Sequence, residues 1–326
     1  MTSMITGSAA STDVAAPRWE IFTEDWDPGY GTPATFELDG SGSFEPAEDG
    51  PPVIAPGPVE VVPLCFIDGV RRAELTLWAE QPGTGARVPG LAGAYAVGAV
   101  TVRPGGRATY QGVRIGRLAI WGGGRTGDIH GRTGHRWASE SIVGDDPADL
   151  LAHLQNRMRL AEGSLALDAA AGRWTVVLDG PLNRIQSPDA TIAGYIKTHR
   201  RQIFPDAEHA LVPGLAVGAR TRMYESKSDR YTCYVRVGYP GPGGSPWGGI
   251  ARLEFPAVGG LGAAVALAGR LAALLPRYAG VAHRDPRAPV NLTPVKNLER
   301  HLTRLLGPLA HATRSARDAV IERRSA

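Results

Sequence analysis

Apolar positions gather into a few strongly patterned segments. The stretch "VEVVPLCFIDG" places Val59, Val61, Val62, Leu64, Phe66 and Ile67 in a buried strand that ends on Asp68 and Gly69. Next come "AELTLWAE" and the alternating stretches "GAYAVGAVTV" and "RATYQGVRIGRLAIW", which predict antiparallel strands in a meander following the first strand. Asp145, Asp146 and Pro147 give an acidic start and a first-turn proline, so a helix is expected through "ADLLAHLQNRMRLAEGSLAL". Leu151, Leu154, Met158 and Leu165 share one face of it. The strand "RWTVVLDGPL" again ends on Asp-Gly, at Asp179, and leads to a mixed basic segment, "TIAGYIKTHRRQIF". A strand-rich portion covers about 211–255, with "RYTCYVRVGY" and "GGIARLEFP" as its clearest elements, and helices are expected over 261–275 and 292–306. Strands, helix, strand, helix, more strands and helices in that order predict a mixed α/β sheet with helices packed on it.

Composition sets the boundaries of this domain. Residues 1–57, including "DGSGSFEPAEDGPP", are rich in Gly, Pro, Ser and acidic side chains and read as a flexible extension with little core of its own. The main domain is expected over 58–314 and a polar tail over 315–326. A chain of 326 residues with 43% hydrophobic content is globular. The net charge of +3 gives no global polyanion signal, so any nucleic-acid surface must be a local patch. Cys65 and Cys233 fall in predicted strands as core residues, with no zinc-ligand spacing. The N-terminus carries no basic-then-apolar signal, and Arg270 breaks the short apolar stretch 261–275. A cytoplasmic protein is expected, with no membrane association.

Candidate chemistry lies in acids placed on apolar elements. Asp68 is either a turn aspartate, since Asp-Gly is a common hairpin signal, or a carboxylate at a sheet edge facing a ligand. If its strand neighbours that of Asp179 and points the same way, both carboxylates emerge together and need a cation between them. Glu162 falls on the apolar stripe of the first helix, four residues after Met158 and three before Leu165. Glu299 falls likewise among Val295, Leu298, Leu302 and Leu305 in the late helix. Each glutamate alone fits a stripe-edge residue or a structural salt bridge. The four together form an oxygen-rich set suited to Mg²⁺ or Mn²⁺, and paired ions suit in-line phosphoryl transfer.

The order of these motifs resembles the ribonuclease H-like fold, an α/β architecture with a mixed sheet flanked by helices, here with an inserted strand-rich portion. "FIDGVRR", "RMRLAEGSLAL" before "VVLDGPL", "GYIKTHRR", "ARLEFP" and "DPRAPVNLTPVKNLERHL" together resemble the NurA nuclease family, over roughly residues 59–314. That resemblance implies a manganese-dependent DNA nuclease, generally dimeric, working with a HerA-type hexameric ATPase in DNA end processing. It matches Asp68 and Asp179 to the family's metal-binding aspartates and Glu162 to its helical glutamate. Glu299 stands where archaeal relatives carry a histidine after a Pro-Leu pair, here Pro294-Val295. This departure keeps a metal ligand and loses a histidine's proton transfer.

Weaker candidates complete the set. Lys197, His199, Arg200 and Arg201 beside Tyr195 suit phosphate binding, or form an ordinary solvated helix face. Arg287 either meets a backbone phosphate or fixes its turn. Arg252 and Glu254 fit an internal ion pair as well as a catalytic role, and Tyr231, Tyr234 and Tyr239 fit sheet packing. His130 and His135 lie in "GGGRTGDIHGRTG", which lacks the Walker ending and reads as a solvated loop. Rival readings are a non-catalytic DNA-end adaptor of the ATPase with the same fold, and a phosphohydrolase acting on nucleotides.

Overall fold

A computed structural model describes residues 20–23, 44–58, 60–131, 134–182, 185, 187, 191–197, 202–226, 229–240, 246–281 and 288–325, with backbone alone at 20–23 and 323–325. Three short strands come first: β1 (Glu20–Thr23), β2 (Phe44–Pro46) and β3 (Val53–Ile54). The meander β4 (Leu64–Glu80), β5 (Arg87–Val102) and β6 (Thr109–Trp121) follows, then β7 (Ile129–His130) and β8 (Arg136–Ser141). Helix α1 (Pro147–Ala171) leads to β9 (Thr175–Asp179) and β10 (Ile192–Ile196). A short helix α2 (Asp206–His209) precedes β11 (Arg220–Thr221), β12 (Tyr224–Ser226), β13 (Arg230–Arg236) and β14 (Ile250–Pro256). Helices α3 (Leu261–Leu274), α4 (Thr293–Leu306) and α5 (Leu309–Ser325) close the chain.

Among the described residues the strands join one mixed sheet, in the order β2-β12-β13-β14-β10-β9-β4-β5-β6-β8-β7. The centre of this sheet positions the site. Strands β4 and β5 pair antiparallel, β5 and β6 likewise, while β9 runs parallel to both β4 and β10. A parallel neighbour requires a crossover, and α1 supplies it. Its start follows from sequence: the Asp146 carboxylate accepts a 2.8 Å bond from the Ala148 amide, and Pro147 occupies the first turn.

The pleat sorts the central strands into two layers. Cys65, Ile67, Val176, Leu178 and Ile192 pack with Leu165, Ala166 and Ala170 of α1. Leu64, Phe66, Val177, Ala193 and Tyr195 face the other way, onto Leu267 and Leu271 of α3 and Leu298 and Leu302 of α4. Both faces of β9 and β10 are thus buried, as a central strand covered by helices on both sides must be. No helix among the described residues is long and apolar enough to cross a membrane.

Four sequence expectations are revised. Strand β4 does not stop at Asp68: it pairs with β5 from Leu64↔Val102 to Glu80↔Arg87, so "AELTLWAE" is its second half, beyond a bulge near Glu74. The start of "TIAGYIKTHRRQIF" is a strand, because "IAGYI" is buried on both faces and so lacks any period. Within the stretch expected as a flexible extension, β2 pairs with β12, β3 with β11 and β1 with β4. Glu48 from the same stretch takes 2.6 and 2.8 Å bonds from the buried Arg220 guanidinium. The expected polar tail 315–326 lies largely within α5, whose Ala312, Ala316, Ala319 and Val320 bury against Leu77, Trp121 and Trp137.

Candidate metal centre

The rungs of β4 and β9 bring two carboxylates together. Their parallel register runs Leu64↔Thr175 to Ile67↔Leu178, so the next step sets Asp68 beside Asp179. There β9 ends while β4 continues. By the two-residue period, Asp68 and Asp179 lie on the face of Phe66 and Val177, toward α4. Helix α4 buries Val295, Leu298 and Leu302 and carries Glu299 at the edge of that stripe. Asp68, Asp179 and Glu299 each present an oxygen within 4.8 Å of the other two.

Glu162 reaches this region from the opposite layer. It projects from α1, is wholly buried, and touches the back of the sheet where residue 69 has no side chain. A Cβ on Gly69 would stand 2.6 Å from Glu162 Oε1 and 2.9 Å from Met158 Cγ, so only glycine admits the helix so close. Arg159 Nη1 donates to Glu162 Oε2 at 2.8 Å and to the Asp179 carbonyl at 2.8 Å. Gly180, at φ +112°, lies over the same guanidinium, where a Cβ would fall 2.9 Å from Nη1. The four acids expected in one pocket therefore divide: three form a triad, and Glu162 stands behind it with its own arginine.

Burial and mutual repulsion dominate the electrostatics. Asp68 is 5% exposed, Asp179 9% and Glu162 0%. Burial, then Asp179 and Glu162, push the Asp68 carboxyl well above the usual range; Lys197 opposes the shift and Glu299 adds to it. Burial lifts Glu162 to about 7 against the lowering effect of Arg159. Burial and the Asp179 charge also push the Tyr195 phenol up. Among the described residues, Asp68 Oδ2, Asp179 Oδ1 and Glu162 Oε1 are buried without a hydrogen-bond partner. Buried polar atoms are normally paired, and three unsatisfied carboxylate oxygens in one region are costly without a cation. An all-oxygen donor set of this kind fits a hard divalent ion such as Mg²⁺ or Mn²⁺.

Other candidates separate clearly. The Lys197 ammonium turns into the site, donating to Asp179 Oδ2 at 2.7 Å and to Asn291 Oδ1 at 3.0 Å. His199, Arg200, Arg201 and Arg287 lie outside the described residues. Arg252 and Glu254 form an internal ion pair at 3.0 Å, and Glu254 Oε2 also accepts from the Leu182 amide at 3.2 Å. Tyr234 packs in the sheet with Phe204, whereas Tyr239 is exposed beside the Arg236 guanidinium. His130 falls on the short strand β7, exposed and 3.6 Å from Asp128.

Two participants escaped the sequence reading. Arg159 precedes Glu162 by three residues, a helical pair spacing that signals the contact in advance. Asn291 carries no such signal, since its contact with Lys197 spans 94 positions. Compared with known proteins, the chain matches no family model and no curated protein.

Proposed function

We propose that this protein is a divalent-metal-dependent DNA nuclease of the NurA type, built on a ribonuclease H-like sheet. The observation that carries the reading is the triad: Asp68, Asp179 and Glu299, from three separate elements, converge within 4.8 Å. Two of them hold buried oxygens without partners among the described residues. The order of Asp68 strand, meander, Glu162 helix, Asp179 strand and Glu299 helix, on which the resemblance rests, recurs with Asp68 and Asp179 on neighbouring strands.

A bound Mn²⁺ or Mg²⁺ would supply Lewis acidity to a phosphodiester oxygen and lower the pKa of an attacking water. Asp68, Asp179 and Glu299 would hold it, with Glu162 and its Arg159 partner standing behind them on the α1 side of the sheet. In the hydrolysis, the water oxygen forms a bond to phosphorus, one ester P–O bond breaks, and the departing oxygen takes up a proton. Arg159 keeps Glu162 and the end of β9 in place through the two hydrogen bonds of its Nη1. With Glu299 in place of a histidine, proton transfer to the leaving oxygen falls to water or another group.

DNA as substrate, a homodimer, a HerA-type ATPase partner and a cytoplasmic location belong to the same proposal and rest on the resemblance. The test is degradation of linear DNA with Mn²⁺, expected in the wild type and lost in Asp68→Ala and Asp179→Ala. The departure at Glu299 favours a second reading, a non-catalytic DNA-end adaptor; wild-type activity indistinguishable from that of either variant would favour it.

A further inference from the structure

We propose that Lys197 is a positioning residue that presents Asp179 to the metal through one oxygen and couples that oxygen to the helix carrying Glu299. The inference rests on the metal-centre reading and names how this chain builds the centre.

Lys197 donates to Asp179 Oδ2 and to Asn291 Oδ1, at 2.7 and 3.0 Å. The pair is largely enclosed, with side-chain exposures of 17% and 11%. The other oxygen of the same carboxylate, Asp179 Oδ1, is buried without a hydrogen-bond partner among the described residues. One oxygen is therefore fixed by the ammonium, leaving the other for the cluster. A carboxylate held at one oxygen has a single orientation, whereas one held at neither can rotate or chelate.

The link continues into α4. Asn291 lies two residues before that helix begins, and its neighbour Val290 accepts a 2.7 Å bond from the Tyr195 hydroxyl. Tyr195 and Lys197 are two residues apart and share a face of the sheet. Strand β10 and the lysine just after it thus grip the segment leading into α4 at consecutive residues, and Glu299 follows within that helix. Asp179, Lys197 and Asn291 form one connected path between two ligand-bearing elements.

This role differs in sign from simple charge balance. A lysine acting only as a countercharge competes with the metal, so its removal tightens metal binding. A lysine that orients a ligand does the opposite, and loss of such supporting contacts typically weakens metal affinity about 10–100-fold. Isothermal titration of the full chain with Mn²⁺, without DNA, separates the two. The expected result is weakening of about 10-fold or more in Lys197→Met, and weakening in Asn291→Ala although no charge has changed. Should Lys197→Met fail to fold, Lys197→Arg takes its place, since it keeps the charge and moves the donors. Weakened Mn²⁺ binding in that variant supports the inference, and wild-type affinity overturns it. Binding as tight as wild type or tighter in Lys197→Met, or unchanged binding with weaker DNA affinity alone, overturns it as well. A wild-type chain that takes up no Mn²⁺ removes the metal-centre reading itself.

Discussion

Glu162 Oε1 lies where a side chain of residue 69 would begin: a Cβ on Gly69 falls 2.6 Å from it. Asp68 and Gly69 thus divide the work of one dipeptide between the two faces of β4, the first turned to α4, the second opening a place for α1. Gly69→Ala is expected to destabilise the protein by about 1–3 kcal/mol, the usual cost of overpacking. In the double variant with Glu162→Ala the combined loss should fall short of the sum, because the nearest of the obstructing atoms is gone and only Met158 remains in the way. Urea denaturation of the two single variants and the double variant measures both.

Asp68→Asn should raise the melting temperature of the metal-free protein while abolishing its stabilisation by Mn²⁺. Burial and the neighbouring acids hold the Asp68 carboxyl well above its usual range, so its ionisation favours the unfolded chain. The amide removes that opposition and the ligand together, a trade between stability and function of a familiar kind. Thermal melts with and without metal read both effects.

The pH dependence of the metal-free protein follows from Glu162. Its pKa rises from 4.5 to about 7 on folding, so between those values the folded state binds more protons than the unfolded state. Stability then falls as pH rises through that window, and the stabilising proton is fully retained only below about 4.5. Metal binding requires deprotonated ligands, and the Asp68 carboxyl is held above its usual range, so the Mn²⁺-induced stabilisation should grow as pH rises. Denaturation at pH 5, 6 and 7, with and without Mn²⁺, gives the two opposite trends.

Arg72 secures the far end of α4. It shares the α4 face of β4 with Asp68, donates to the carbonyls of Leu306 and Gly307, and pairs with the buried Glu74 at 2.8 Å. Arg117 donates to the Leu306 carbonyl as well, at 2.9 Å, and the Trp137 indole N–H to Glu74 at 2.8 Å. Arg72→Met leaves Glu74 without its main cation and should cost about 3–5 kcal/mol, the range for breaking a buried pair from one side. The denaturation midpoint reports it.

The legible parts of this site were those with a local pattern. Asp179 stood out at the end of "WTVVLD", and Glu162 and Glu299 stood out as acids on apolar helical stripes. The strand end expected at Asp68 belongs to its neighbour: β4 continues, and β9 ends beside it. No local rule gives that, since it depends on the register between strands more than a hundred residues apart. The layer of Glu162 was hidden for the same reason, because the periodicity of α1 does not tell which face of the sheet it covers. The helical end of the chain was masked by its apolar face, mostly alanine with one valine, which gives a weak pattern against many charges.

The central claim is that Asp68, Asp179 and Glu299 jointly hold a divalent cation. Anomalous diffraction at the manganese edge, from crystals grown with Mn²⁺, should place an ion among these three carboxylates, with Lys197 still on Asp179. A manganese-saturated crystal with no anomalous peak there, or with peaks only at unrelated surface sites, would contradict the account.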